Sequence, residues 1–193
     1  NQLGITKKII IVASPTVQTN YRLQLFDHRK LKNINGSWNL KSCTGNKFIN
    51  EINPMHMKGL SRDKLISQIE KIINQSYEFM GYTGFANYID NIIKKNLPRE
   101  KDSVRQRKNK IKALRHEFSN RLITIDEVHN IRNVDGMKGT SEKFLELVTY
   151  AENMKLLLLT ATPMFNDYRE ILWLTNLMNL NDNRYPILNS DVF

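Results

Sequence analysis

Three short apolar runs constrain the fold of this chain more than any other feature of its sequence. They are IIIVA (9–13), LITI (122–125) and LLLL (156–159). The first has no polar alternation, so it is expected as a strand covered on both faces, as in parallel sheets. The other two are expected as buried strands. Amphipathic segments at 61–73 and 140–152 have helical spacing. Strands that alternate with helices predict an α/β fold with a parallel sheet and helices on both faces.

Further elements are expected between these runs. A short strand is expected at 77–80, and helices at 16–26, 85–95, 102–118 and 166–180. The final strand is expected to cover 155–162 and to end at Pro163. Residues 32–63 are polar and glycine-containing, and they predict no more than one short strand near WNLKSC (38–43).

Length and composition bound the class of protein. A chain of 193 residues suits one domain, or one domain and a tail. A single cysteine, Cys43, favours a reducing, intracellular compartment. The apolar runs are far too short to cross a membrane, so no membrane partner is expected. The first residues contain no signal peptide and do not begin with Met, which suggests a fragment or a processed chain.

Positive charge is concentrated in one segment. The chain has a formal net charge of +10, and residues 91–121 hold eleven Lys and Arg against three acids. A clustered positive field attracts polyanions such as nucleic acid, and a solvated helix face is the alternative. The candidate nucleic-acid contacts within this basic helical segment are Lys108, Lys112 and Arg115.

Two adjacent carboxylates, Asp126 and Glu127, follow the strand expected at 121–126. Ligands of a parallel α/β sheet bind beyond the carboxyl ends of its strands. Two like charges in a half-buried place are costly unless a cation binds there. A hydrated Mg²⁺ needs only one or two such ligands, so Asp126 is the candidate metal ligand and Glu127 the candidate activator of a water molecule. The alternative is a polar loop start or a helix cap.

A second set of polar residues follows the next strand. Thr160 and Thr162 come 34 and 36 residues after Asp126, with a crossover helix between. The two strand ends are therefore expected to lie side by side, where a threonine hydroxyl could bond His129 or a carboxylate. Thr at a strand end can also reflect β-propensity alone.

These motifs together resemble a known family. DEVH (126–129) and TATP (160–163) resemble motifs II and III in the first RecA-like domain of superfamily 2 helicases and translocases. VASPTVQT (12–19) is similar to motif Ia, and YTGF (82–85) to motif Ib. The wider pattern over 7–180 is similar to the helicase-like ATPases of large cytoplasmic DNA viruses, such as the small subunit of the poxvirus early transcription factor.

The resemblance implies roles for individual residues. Asp126 would coordinate Mg²⁺ and Glu127 would activate water, so that both belong to an ATP site. His129, Thr160 and Thr162 would couple hydrolysis to movement along a strand. The positions near the nucleic-acid backbone, DNA or RNA, would be Ser14, Pro15, Thr16, Thr83 and Gly84.

The resemblance also implies missing parts. Residues 1–180 would be a partial helicase ATP-binding domain, and 181–193 an exit linker toward a second RecA-like domain. The phosphate-binding loop of the family, G-x-x-x-x-G-K-[ST], occurs nowhere in the sequence. We therefore expect a larger parent protein to supply the phosphate-binding loop and the second RecA-like domain. This chain by itself is expected to hydrolyse ATP no faster than background. The partners would include transcription machinery. If the parent is viral, the location would be the cytoplasm of the host cell or the virion. Without the phosphate-loop strand, the edge of 155–162 is expected to be exposed.

Two alternatives stay open. The chain could be a non-catalytic nucleic-acid-binding or transcription-assembly module on a degenerate helicase fold, as the absent loop and the basic segment suggest. It could also be a structural α/β protein in which DEVH is a coincidence.

Overall fold

A computed structural model describes residues 4–40, 42–55, 59–96, 103–132, 140–164, 167 and 169–191. In chain order its elements are β1 (Ile9–Val12), α1 (Pro15–Leu25), β2 (Leu31–Ile34), β3 (Ser37–Leu40), α2 (Cys43–Ile52), α3 (Arg62–Ser76), β4 (Tyr77–Met80), α4 (Tyr82–Asn96), α5 (Ser103–Phe118), β5 (Leu122–Ile125), α6 (His129–Arg132), α7 (Thr140–Tyr150), β6 (Lys155–Leu158) and α8 (Arg169–Asn181). Short 3-10 turns lie at His28–Lys30 and Asn189–Asp191. The chain forms two compact units, Asn1–Ser14 with Phe79–Phe193, and Pro15–Glu78.

A four-stranded parallel sheet in the order β4-β1-β5-β6, flanked by helices, organises the first unit. Ile10 pairs with Ile123 and Val12 with Ile125, and Ile125 pairs in turn with Leu158. The predicted α/β class and parallel sheet are therefore confirmed. Because β5 and β6 are direct neighbours, the residues that follow them emerge at the same edge of the sheet.

The two central strands are buried on both faces, as their unbroken apolar runs predict. Successive strand residues point to opposite faces, and yet Ile10, Ile11 and Val12 are each at most 5% exposed. The strands pack into one apolar cluster with residues of the surrounding helices, among them Phe85, Leu114, Phe118, Phe144, Leu147 and Leu177. Phe85 and Phe144 meet edge to face, with ring centroids 5.7 Å apart. This cluster fixes the sheet edge from which the acid pair projects.

The strand β6 lies at the end of the sheet in the described part of the chain. Its residues alternate between exposed and half-buried, and Leu157 is 47% exposed. The end position of β6 agrees with the expected exposed edge. The prediction of a buried strand here is wrong, because no residue of β6 is buried. The predicted extent of this strand, 155–162, is wrong: β6 ends at Leu158, and only the Leu159 N–H continues the pairing, to the Ile125 carbonyl. Just beyond this point, the Thr160 hydroxyl contacts His129, the first residue of α6.

The second unit corrects the prediction for residues 32–63. This segment contains most of an antiparallel hairpin, β2 with β3, and the helix α2. Asn35 and Gly36 join the strands, and both have positive φ, of 53° and 85°. An Asn-Gly pair with these angles favours the tight turn that matches the twist of a hairpin, and this dipeptide is the signal that the sequence analysis missed. Helix α3 and its Ser61 cap are as predicted.

The segment after α8, interpreted above as a linker, is bonded to that helix as far as Ile187. The side chain of Asn176 accepts from the Ile187 N–H at 2.7 Å and donates to the Ile187 carbonyl at 3.0 Å. Among the helices described here, none is long and apolar enough to cross a membrane.

Candidate active site at the carboxyl edge of the sheet

The acid pair lies in the turn that follows β5. The Asp126 N–H donates to the carbonyl of Val12, 2.9 Å away, so the backbone stays paired with β1 up to the first acid. Glu127 then has φ of 45°. The other described non-glycine residues with positive φ are all asparagines, which tolerate this region better than glutamate does. Such backbone costs on the order of 1–3 kcal/mol, and strain of this kind is concentrated at functional sites.

Val128 anchors this turn in the core. Its side chain is fully buried, and its N–H donates to the Leu159 carbonyl at 3.1 Å. The turn is therefore held to β1 on one side and to the chain leaving β6 on the other. The short helix α6 begins immediately afterwards, at His129.

His129 connects the two strand ends. Its Nδ1 atom lies 3.1 Å from the Thr160 hydroxyl oxygen and 3.4 Å from Oε2 of Glu127. The Thr160 hydroxyl also accepts the Thr162 N–H, at 3.2 Å, which leaves its own proton available for the imidazole. The expectation that a threonine hydroxyl meets His129 at adjacent strand ends is confirmed. Thr162 itself contributes only its backbone to this arrangement, and its side chain is exposed.

The Glu127 carboxylate has two different surroundings. Its Oε2 atom is enclosed and has no hydrogen-bond partner among the described residues, although the side chain as a whole is 42% exposed. An enclosed carboxylate oxygen without a donor is costly. A bound water or a cation would satisfy it.

The donor set at this edge fits Mg²⁺. Asp126 and Glu127 offer hard carboxylate oxygens, and Mg²⁺ takes one or two of these while water or phosphate oxygens complete its shell. Within the described ranges no group of three or more His, Cys, Asp or Glu side chains is arranged to hold a metal ion. The arrangement therefore suits an ion held largely through water and substrate better than one held by protein ligands alone.

Tyr82, the first residue of α4, is a member of the site that the sequence analysis missed. Its hydroxyl donates to the backbone carbonyl of Asp126 at 2.9 Å and accepts from Nδ2 of Asn130 at 3.4 Å and from the Ser14 backbone. Burial raises the pKa of this phenol, and the charges of Asp126 and Glu127 raise it further. Tyr82 therefore stays a neutral donor that ties the end of β1, the start of α4 and the acid loop together.

The residues expected near a nucleic-acid backbone lie close to element ends. Ser14 follows β1 and is half-buried, whereas Pro15 and Thr16 are exposed in the first turn of α1, in the second unit. Thr83 and Gly84 are exposed in the first turn of α4. A side chain at Gly84 would meet no atom within 4 Å, so the surface there is open.

The three basic candidates on α5 differ in their surroundings. Lys108 and Lys112 are exposed. Arg115 instead pairs with Glu152 at 3.0 Å and donates to the Tyr150 carbonyl at 3.2 Å, which joins α5 to the end of α7. Residues 97–102 of the basic segment lie outside the described residues.

Comparisons with known proteins identify no relative. No protein-family model, no curated protein and no solved structure matches this chain. The geometry itself defines an α/β unit with a four-stranded parallel sheet and an acid pair at its carboxyl edge.

Proposed function

We propose that this chain carries the acid half of a Mg²⁺-dependent ATP-hydrolysing site, within a helicase or translocase that moves along DNA or RNA. The observation that carries the proposal is the 3.1 Å contact between His129 and Thr160. This contact joins the acid pair after β5 to the threonine motif after β6. A site that couples hydrolysis to movement needs a connection of this kind.

The proposed chemistry assigns one task to each acid. Glu127 orients the attacking water and takes its proton as the water's oxygen bonds to the γ-phosphorus. In the same step the bond between that phosphorus and the β–γ bridging oxygen breaks, and ADP leaves. Asp126 would hold Mg²⁺, which when bound neutralises charge on the phosphate oxygens. A general base of this kind contributes roughly 10²–10⁴-fold in rate.

Coupling would pass through the contacts around these acids. On one side, His129 connects Glu127 to Thr160, whose hydroxyl also holds the backbone of Thr162. On the other side, Tyr82 connects the acid loop to the start of α4. The nucleic-acid contacts of the first unit would be Ser14, Thr83 and Gly84, and those of the second unit would be Pro15 and Thr16.

Other parts of the active site would come from outside these 193 residues. The sequence holds no G-x-x-x-x-G-K-[ST] loop to cradle the β- and γ-phosphates. We infer that the rest of a parent protein supplies this loop and a second RecA-like domain. The motif pattern favours a viral transcription ATPase as that parent.

Turnover in two forms of the protein tests this proposal. The parent should hydrolyse ATP in a Mg²⁺-dependent manner that nucleic acid stimulates, and the 193-residue chain should show only background turnover. An inactive parent with an intact phosphate loop would overturn the proposal, and clear turnover by the isolated chain would overturn the inferred division of the site.

The absent phosphate loop and the concentrated positive charge favour one second candidate, a non-catalytic nucleic-acid-binding or transcription-assembly module. Such a module would bind nucleic acid with a steep salt dependence, and its parent would hydrolyse no ATP.

A further inference from the structure

A groove of about 510 Å³ lies between α4 and α5, away from the acid pair. One of its residues, Lys95, follows Tyr82 by thirteen positions in the same helix, which is about 20 Å along the helix axis. The groove therefore lies at the other end of α4 from the candidate active site. Its lining includes Lys95 on α4 and Asn109, Lys112 and Glu117 on α5.

The cations of α5 face two different environments. On the α7 side, Lys110 pairs with Glu146 and Arg115 with Glu152. On the α4 side, Lys112 has no carboxylate within 4 Å in the described part of the chain, and Lys95 across the groove has none either. Cations that pair with no described carboxylate, set on opposite walls of a groove, make a site for an anion.

Glu117, the one carboxylate among the described lining residues, is already neutralised. It pairs with Arg121 at 3.1 Å and accepts the Tyr88 hydroxyl. Arg121 is only 6% exposed, so this ion pair is directed into the protein. The groove thus keeps the positive charge of its lysines.

The spacing of the cations suits a polymer better than a single ion. Lys108 and Lys112, both exposed, are four residues apart on α5, which is roughly 6 Å along the helix axis. A nucleic-acid strand carries its charges in such a row, and single strands bind in positively charged grooves that follow their backbone.

We propose that the groove between α4 and α5 binds the phosphate backbone of a single-stranded nucleic acid. Lys95 and Lys112 contact phosphates from opposite walls, and the carboxamide of Asn109 donates to a phosphate or sugar oxygen between them. This second contact surface goes beyond the proposed hydrolysis, because it requires neither nucleotide nor Mg²⁺.

The test measures binding of fluorescent dT₂₀ and rU₂₀ to the 193-residue chain, over a series of salt concentrations and without nucleotide or Mg²⁺. The double variant K95A/K112A should bind more weakly at every salt concentration. The slope of log K against log salt is negative, and its magnitude should decrease by about 1.4, since each phosphate contact on a single strand contributes about 0.7. The matched control is K64A/K71A, which removes two exposed lysines from α3 and should leave both quantities unchanged.

Competition experiments distinguish nucleic acid from other polyanions as the ligand of the groove. Unlabelled dT₂₀ should displace the probe, whereas polyglutamate at equal charge and vesicles containing phosphatidylserine should not. Circular dichroism verifies that each variant is folded, and N109D, which adds a negative charge to the groove, should weaken binding independently. Unchanged binding by K95A/K112A, an equal loss in K64A/K71A, or equal competition by polyglutamate or the vesicles would overturn the proposal. Because hydrolysis is not measured, failure here leaves the proposed ATP site standing, and failure of the ATP site leaves the groove standing.

Discussion

The hydroxyl of Tyr82 lies 2.9 Å from the backbone carbonyl oxygen of Asp126. The first residue of α4 therefore holds the loop that carries the acid pair, and the YTGF turn (82–85) is joined directly to the DEVH turn (126–129). This relationship gives the acid loop a support that does not involve either carboxylate.

Replacing Tyr82 by Phe tests that support. The variant should lose about 1–3 kcal/mol of unfolding free energy, because the Asp126 carbonyl and the Asn130 amide both lose their partner. Urea unfolding monitored by circular dichroism measures the change. The control is Tyr185→Phe, at a position that is 94% exposed, where no loss is expected. Equal stability of Y82F and wild type would show that the hydroxyl does not hold the loop.

Replacing Thr160 by Val tests the contact between the strand ends. Val keeps the shape of the side chain but removes the hydroxyl that His129 and the Thr162 N–H share. We expect a loss of about 1 kcal/mol and a changed Nδ1 chemical shift for one histidine ring in NMR spectra. T162V keeps the backbone N–H and should leave that ring signal in place. An unchanged spectrum in T160V would contradict the contact.

Tyr88 predicts a pH dependence of stability at high pH. Burial, and then the hydrogen bond to Glu117, raise its pKa from the ordinary value of 10 to about 12. Because the folded state keeps this proton more tightly than the unfolded state, the stabilisation is fully present below pH 10 and is lost as the pH rises through about 12. Unfolding free energy should therefore fall over this range more steeply in wild type than in Y88F. Parallel curves for the two proteins would argue against the raised pKa.

The exposed edge of β6 predicts self-association. Leu157 is 47% exposed on an end strand of the sheet, and apolar edges of this kind pair with other chains. Sedimentation velocity of the 193-residue chain should show a sedimentation coefficient that rises with concentration, and L157K should reduce this rise. A wild-type chain that stays monomeric at high concentration would count against pairing at this edge.

The sequence was sufficient to predict features that depend on local pattern. Consecutive apolar residues correctly identified the buried strands β1 and β5, and the spacing between Asp126 and Thr160 correctly predicted adjacent strand ends. The apolar run of β6 predicted a buried strand as well, but β6 lies at the end of the sheet and none of its residues is buried. The β2–β3 hairpin was missed although Asn35-Gly36 marks its turn, because the residues around it are mostly polar.

Other features depend on which side chains meet in three dimensions. Tyr82 acts through a backbone carbonyl forty-four residues away, which no local motif reveals. Likewise, Lys112 and Arg115 look alike in the sequence, and only the packing of α7 shows that Arg115 has a carboxylate partner. Helical periodicity identifies the faces of α5 but not the charge of the helices that cover them.

The central claim is that Glu127 activates the water that cleaves ATP, and its most direct test is ATP turnover and ATP binding by E127Q in the parent protein. The control is E142Q, at an exposed position in the first turn of α7. We predict that E127Q lowers turnover by at least about 100-fold while its affinity for ATP stays within error of wild type, and that E142Q retains wild-type turnover. Turnover by E127Q close to that of wild type would contradict the account.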